Sequence, residues 1–502
     1  MKKITVWLLI FLMLLSTLVA CVNAPDQGGE SSQGEEASHS GETGGEQPEE
    51  NYWISPDLDA DALGFKLEGS EVAILAYNRY DISPEENSTD PLEDAVYRRD
   101  DKLQTELGIT LNNIYQPVFE TISSSVKNDV AAGTGEYHLV YQHMIDAACN
   151  LAQNDCLYDL SELEYVNFDK IWWDQDCKNG FTIGEHMMLA CGDLLPSSML
   201  ITASVLFNKN LFELQGEEYP YDDARQGTWT MDDMLEITKD QTRDLNGDGK
   251  ILYTDDFYGI TAWSLDADFN FFYGAGATMF TYDQDHLPSY DPDTDRLQQI
   301  YEKVYELLIT QNSFHVIWAD YEKDPGMYNN TINVFKDGRA LFFPTYLSVT
   351  TSLRDMVDDY GILPQPKYDE KQQNYLGFVN GSASLVVVPN SLSDDNLELA
   401  GFMMEALASS SYYMTTDTLY EVVAKSKNAR DPESAEMVDI IIRHKVFDFG
   451  YSHFSGQDLP CHNVVQTALQ SNKPSIVRDL TSSARQTKTK LKKILNAYGY
   501  DD

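Results

Sequence analysis

Positive charge is scarce in this chain: 35 Lys and Arg stand against 81 Asp and Glu, a formal net charge of −46 over 502 residues. Binding to nucleic acid needs a basic stripe to neutralise phosphates, so that class of partner is excluded. Polyanionic ligands are disfavoured unless a site is locally basic. The acidic surface reads first as a device for solubility. The C-terminus is the exception, where Lys473, Arg478, Arg485, Lys488, Lys490, Lys492 and Lys493 cluster. Ile476, Leu480, Ala484, Leu491 and Leu495 recur there near helical spacing, which predicts an amphipathic helix packed on the body with a basic solvated face.

Catalytic signatures are missing as well. There is no G-x-S-x-G, no H-E-x-x-H and no G-x-x-x-x-G-K-[ST]. Glu185-His186 lacks the second histidine a zinc protease helix needs. With so many carboxylates, acid pairs occur at almost any spacing and say nothing about glycosidase chemistry. Cysteine is sparse and unpatterned. Beyond Cys21 there are five, Cys149, Cys156, Cys177, Cys191 and Cys461, with no C-x-x-C and no Cys/His zinc spacing. An odd count outside the cell leaves at least one thiol free, and Cys177 and Cys191 could pair if their segments form a hairpin.

Long apolar runs are few. After the N-terminal one, no segment suits a transmembrane helix; Leu385-Val386-Val387-Val388 is a short buried strand stopped by Pro389. The N-terminal run itself, Trp7 to Ala20, is fourteen uncharged residues behind Lys2 and Lys3. That is too short for a comfortable span and fits a secretory signal over residues 1–20. It ends in Leu18-Val19-Ala20-Cys21, which resembles the lipobox of bacterial lipoproteins. The resemblance implies a diacylglycerol on the Cys21 sulfur, with cleavage leaving Cys21 at the N-terminus, and two acyl chains suffice for stable anchoring. Residues 21–60 then read as an acidic tether: Asn23 to Asn51 has no aromatic residue and no aliphatic larger than Ala. Such a stretch cannot offset its ordering entropy by burial, and as a flexible coil of about thirty residues it reaches roughly 30 Å.

The remainder of the chain has enough apolar content to fold, since the sequence carries 12% aromatic and 42% hydrophobic residues. Glu71 to Ala76 reads as a buried strand, Asp94 to Glu106 as a helix ending near Gly108, Ile109 to Leu111 as strand again. His138 to Tyr141 is a further strand, with a helical run after it to about Asn154. This alternation predicts a parallel sheet with helices on both faces. Ligands of open α/β sheets sit beyond the carboxyl ends of the strands. Asn78 and Arg79 after the first strand, and Gln142 and His143 after the third, are therefore candidate ligand contacts; the plainer reading makes each an ordinary loop residue.

Met199 to Asn210 reads MLITASVLFNKN, and Thr228-Trp229-Thr230 looks like a helix start. Next come Asp244-Leu245-Asn246-Gly247-Asp248-Gly249-Lys250 and Phe257-Tyr258-Gly259-Ile260. Further on stand Phe335-Lys336-Asp337-Gly338-Arg339-Ala340 and Tyr360-Gly361-Ile362-Leu363-Pro364-Gln365-Pro366. In this order, over roughly Asp94 to Ser452, the set resembles extracellular solute-binding proteins of the maltose-binding type, the family-1 lipoproteins that serve ABC importers. The resemblance implies an α/β, two-lobed periplasmic-binding-protein-like fold with hinge strands and an interlobe cleft. Lobe one would take 70–202 and 340–385, lobe two 203–339 and 386–502. It implies a carbohydrate ligand, closure upon it, and permease subunits of an ABC transporter as partners. The chain would act as a monomer, touching the membrane through its lipid only. A secreted glycan-degrading lipoprotein enzyme is the rival reading, and a ligand-sensing subunit of a signalling receptor a third.

Two sites are expected on these grounds. Asp244, Asn246 and Asp248 fall at positions one, three and five of an EF-hand loop, Gly249 at the sharp turn, Lys250 at seven through its carbonyl and Asp255 at twelve. This predicts a structural calcium ion; the plainer reading is a turn rich in Asp, Asn and Gly. Sugars pack their C–H faces on aromatic rings and engage amides and carboxylates through their hydroxyls. Trp263 beyond the Tyr258 strand, Trp172 and Tyr346 are the rings expected at the cleft, with Asp266 and Asp268 close behind Trp263. Core packing is as good a reading for any one of them. The expected ligand is an uncharged polyol.

Overall fold

The computed structural model describes residues 52–60, 63, 67–82, 88–424, 432–455 and 460–500. The signal sequence, Cys21 and the stretch to Asn51 lie outside them. The tether was expected to reach residue 60, but the folded body begins earlier. Trp53 packs on the core with the Lys102 ammonium 4.5 Å from its ring, and the Ser55 amide donates to Ser409 Oγ at 3.0 Å. Tyr52 and Trp53 are the first aromatic residues after the polar stretch, and burial starts with them.

In chain order the strands are β1 (Glu71–Ala76), β2 (Thr110–Tyr115), β3 (Leu139–His143), β4 (Ala203–Asn208), β5 (Tyr258–Trp263), β6 (Phe280–Tyr282), β7 (Pro288–Tyr290), β8 (Phe314–Val316), β9 (Ala340–Tyr346), β10 (Tyr360–Leu363), β11 (Gly377–Phe378), β12 (Ser384–Val387) and β13 (Lys445–Val446). One sheet has the order β12-β3-β1-β2, the other β10-β4-β9-β5-β8. In the first, β1 runs parallel to β2 and β3 while β12 is antiparallel to β3. In the second, β9, β5 and β8 are parallel, and β4 is antiparallel to both β9 and β10. Each sheet is the centre of one α/β lobe. The continuous apolar run of β1 is buried on both faces, as parallel strands covered by helices require.

Local signals set the element ends. Asp90 accepts the amides of Leu92 and Glu93, and Pro91 opens the helix Pro91–Leu107. That cap starts the helix earlier than the predicted Asp94. Gly108, at φ 67°, ends it in the left-handed region a side chain would disfavour. At the predicted start near Met231, Thr230 and Asp233 form a reciprocal capping box.

Sheet membership differs from the expected division of the chain. β9 and β10, expected in lobe one, belong with β4, where Phe343 lies opposite Leu206 and Gly361 opposite Phe207. β12, expected to straddle a boundary at residue 385, lies wholly in the first sheet, with Val386 opposite Tyr141. The apolar run Leu341-Phe342-Phe343 satisfies any central strand, so its sequence does not state which sheet it joins. The crossing segments are bonded together between the lobes. The Leu347 amide donates to the Thr202 carbonyl at 3.1 Å, and the Asn380 amide to that of Ile201 at 3.3 Å.

The basic C-terminal stretch forms the expected helix, Val477–Ala497, with Leu480, Leu491 and Ile494 buried. It packs on both lobes, against Ala152–Asn154 on one side and Thr294–Tyr305 on the other. The helix therefore belongs to neither lobe alone. All five described cysteines are free thiols. Cys177 and Cys191 touch through their thiol groups, but from a short helix and a segment bridged to β12, not from a hairpin.

Candidate functional site

The parallel strands of both sheets direct their carboxyl ends toward one cleft. Behind β1 and β3 stands an aromatic group. The Phe119 ring stacks on His143 at 4.4 Å, and Tyr77 meets Phe119 at 6.0 Å and His143 at 5.4 Å, edge-on to both. Phe119 is there because it opens the helix Phe119–Ala132 that comes after β2. A second group stands at the ends of β5 and β8. Trp263 closes β5, and Trp318 opens the helix Trp318–Lys323 just after β8. Trp263 lies 6.3 Å from Trp318, 5.1 Å from Tyr321 and 5.8 Å from Tyr328. Trp318 is 39% exposed, unusual for a tryptophan, which frees one face for a ligand.

Between the groups lies a cavity of about 710 Å³, lined by Phe119 and His143 from lobe one, Leu265 and Trp318 from lobe two, and Gln466 and Lys490 from the C-terminal helices. This is within the usual range for a small-molecule site. Burial pushes the His143 imidazole down to about 3, so it is neutral at physiological pH. His462, also on the wall, is lowered for the same reason. The wall carboxylate Asp146 is covered by donors from Ser123, Gln142 and Asn150. Below, Tyr346 Oη donates to the Leu265 carbonyl at 3.2 Å and accepts from Asn380 Nδ2 at 2.6 Å. Asp266 beside it is pushed well above the usual carboxylate range by burial. Asp268 pairs with His315 at 2.7 Å, both buried.

The expected contacts are spread over several roles. His143 lines the cavity. Gln142 does not: it is buried one residue earlier on the other face of β3, where its amide holds the Phe119 carbonyl at 3.0 Å and Ser123 Oγ at 2.9 Å. Asn78 caps the Tyr80 amide at 3.1 Å, and Arg79 pairs with Glu93 at 3.3 Å; both are off the wall. Trp263 and Tyr346 are buried behind and beneath the cavity, supporting what lines it. Trp172 is elsewhere. Its indole N–H donates to Glu405 Oε1 at 3.0 Å, and that of Trp173 to Oε2 at 2.8 Å. A buried carboxylate needs those donors, so both rings belong to the core and to the wall of a separate cavity of about 460 Å³. Beyond His143, the cavity is lined by Phe119, Trp318, Gln466 and Lys490. Trp318 comes after β8 as Trp263 ends β5, and the strand-end rule applied to Phe314–Val316 finds it. Nothing local in the sequence marks Gln466, and Lys490, one of the basic C-terminal cluster expected on a solvated face, lines the cavity instead.

The Asp/Asn/Gly loop is a self-bonded turn. Asp244 accepts the amides of Gly247 at 2.6 Å and Gly249 at 2.7 Å, Asn246 that of Asp248 at 2.8 Å, and Asp248 that of Lys250 at 2.8 Å. Gly249 sits at φ 80°. Asp255 faces the Thr254 hydroxyl at 2.6 Å, while its neighbour Asp256 turns inward to the amides of Leu245 and Leu252. Among the described residues no group of three or more His, Cys, Asp or Glu is placed to hold a metal ion.

A family model for bacterial extracellular solute-binding protein matches residues 99–438. The chain belongs to this family. Its members bind solutes and do not transform them, so the chain is a binding protein, not an enzyme. The solved structures similar to it share the two-lobed fold. One is a cyclo/maltodextrin-binding protein complexed with maltotetraose, 14% identical, with a TM-score of 0.54 over 84% of this chain and 97% of that one. MalE from Listeria monocytogenes, in complex with maltose, is 14% identical with a TM-score of 0.54, covering 86% and 99%. MalE from Bdellovibrio bacteriovorus, bound to maltotriose, is 15% identical with a TM-score of 0.51, covering 84% and 100%. No curated protein matches the sequence. Among the described residues no helix is long and apolar enough to cross a membrane.

Proposed function

We propose that this solute-binding protein captures an oligosaccharide in the 710 Å³ cleft and presents it to an ABC importer, held at the outer face of the bacterial cytoplasmic membrane by a lipid on Cys21. The observation that carries the reading is the placing of aromatic rings on opposite walls, Phe119 and His143 on one and Trp318 on the other, backed by Tyr77 and by Trp263 and Tyr321. Rings on both sides suit a ligand with two apolar faces and a polar edge, which is the shape of a pyranose. The neighbours solved with maltotetraose, maltose and maltotriose support the ligand class. The lipobox-like Leu18 to Cys21 supports the anchor. Capture needs no covalent step: the sugar stacks, and closure results from its greater affinity for the closed form. The test is calorimetry against a glycan library with the wild type and Trp318→Ala. Wild-type binding at one site, weakened roughly tenfold in the variant by loss of about 1.5 kcal/mol of stacking, is expected. A wild type that binds no glycan would sink the reading.

We also propose that Asp244, Asn246, Asp248, the Lys250 carbonyl and Asp255 take a calcium ion that stiffens their loop. The spacing and the Gly249 turn support it; Asp255 must swing from Thr254 to complete the set. Calcium is expected to raise Tm, and Asp244→Ala to abolish that rise. An identical Tm with calcium and with chelator would leave the loop a hydrogen-bonded turn.

A further inference from the structure

On the wall of the cleft, Lys490 is a cation with no carboxylate partner among the described residues. In a chain of net charge −46, acids outnumber bases more than two to one, so a cation inside a cavity has many carboxylates in the chain that could pair with it. Lys490 has none among the described residues: its ammonium donates to the neutral Gln153 amide oxygen. It is partly buried, and that burial lowers its pKa, against a smaller opposing pull from the Cys149 thiol. A half-desolvated ammonium with no counter-charge is costly to keep. Gln153 takes one of its three N–H donors. On the same wall Gln466 Nε2 is a buried donor with no acceptor. The one wall carboxylate, Asp146, is on lobe one and already covered by three donors. The third wall thus offers two donors, the Lys490 ammonium and Gln466 Nε2.

We propose that this wall reads an anionic, acceptor-only group, and that the glycan bound here is acidic, carrying a uronate carboxylate that pairs with Lys490 and accepts from Gln466. This rests on the carbohydrate reading above and narrows it: the expected uncharged polyol is replaced by an acidic one. A carboxylate offers only acceptors, matching two donors without competing for an acceptor site. The Lys490 charge on the wall supplies the local exception that lets a strongly acidic protein take an anion.

The experiment is calorimetry with glucuronate- and galacturonate-containing tetrasaccharides, the same glycans after carboxyl reduction, and maltotetraose, against wild type, Lys490→Gln and Lys490→Arg. Lys490 is partly exposed, and unchanged far-UV dichroism and Tm certify that each variant folds. The expected result is at least tenfold tighter wild-type binding of an acidic glycan than of its reduced form, with the margin shrinking as NaCl rises. Lys490→Gln reduces the margin to below twofold, and Lys490→Arg keeps most of it. Equal wild-type affinity for both forms, preference for maltotetraose, or a margin untouched in Lys490→Gln overturns the proposal while leaving a sugar-binding cleft intact. Failure of every glycan to bind overturns the carbohydrate reading itself.

Discussion

At the scale of single residues, the cleft depends on groups held in one protonation state. His143 has its imidazole at about 3 against the ordinary 6.5. Its folded form is neutral, so the unfolded chain takes up the proton first as pH falls. The stability this contributes is complete above about pH 6.5 and drains between there and about pH 3, at roughly 1.4 kcal/mol per pH unit. Replacing His143 with Phe removes that slope. Chemical denaturation of wild type and variant at pH 7 and pH 5 is expected to show a smaller loss in the variant; parallel losses would mean the imidazole is protonated in the fold. Trp173 tests the opposite role. Trp173→Phe takes the 2.8 Å donor from Glu405 Oε2 and leaves it the Asn167 amide at 3.3 Å, which costs about 1 kcal/mol in denaturant titration. Glycan affinity is expected to stay unchanged, since the ring is remote from the cleft. The sequence shows these tryptophans but not Glu405, which lies more than 230 positions away and decides that they are structural.

At the scale of elements, strands and caps were the most legible features. The apolar run of β1 and the Gly108 stop are local instructions and each is obeyed, whereas the equally local Asp90-Pro91 cap starts the helix ahead of the expected Asp94. The ends of β3 and β5 place His143 on the cavity wall and Trp263 behind it. Register decided the rest: the pleat turns Gln142 away from the cavity and His143 toward it, a one-residue difference that polarity alone does not report. The capping box gives a stability test. Thr230→Ala removes the hydroxyl that serves the Asp233 amide and is expected to cost about 1 kcal/mol in denaturant titration. No loss would mean that Asp233 and the tertiary contacts of Met231 and Met234 suffice.

At the scale of the molecule, a two-lobed α/β body with a cleft was legible from the ordered motifs, and the family match agrees. The assignment of chain to lobes was not. β9 and β10 are apolar enough for either sheet, and only their pairing with β4 places them. The C-terminal helices were readable as amphipathic, but their place across both lobes comes from packing between residues far apart in the chain. That placement matters for function, because a helix touching both lobes and lining the cleft couples whatever sits against Lys490 to the relative position of the halves. The central claim is that a sugar is gripped between Phe119 and Trp318 and released unaltered. Titration calorimetry with the bound glycan, then mass spectrometry of the recovered ligand, tests this most directly. The account predicts one site per chain, at least tenfold weaker binding in both Phe119→Ala and Trp318→Ala, and intact glycan after incubation. Shortened glycan, or affinity indifferent to both rings, would contradict it.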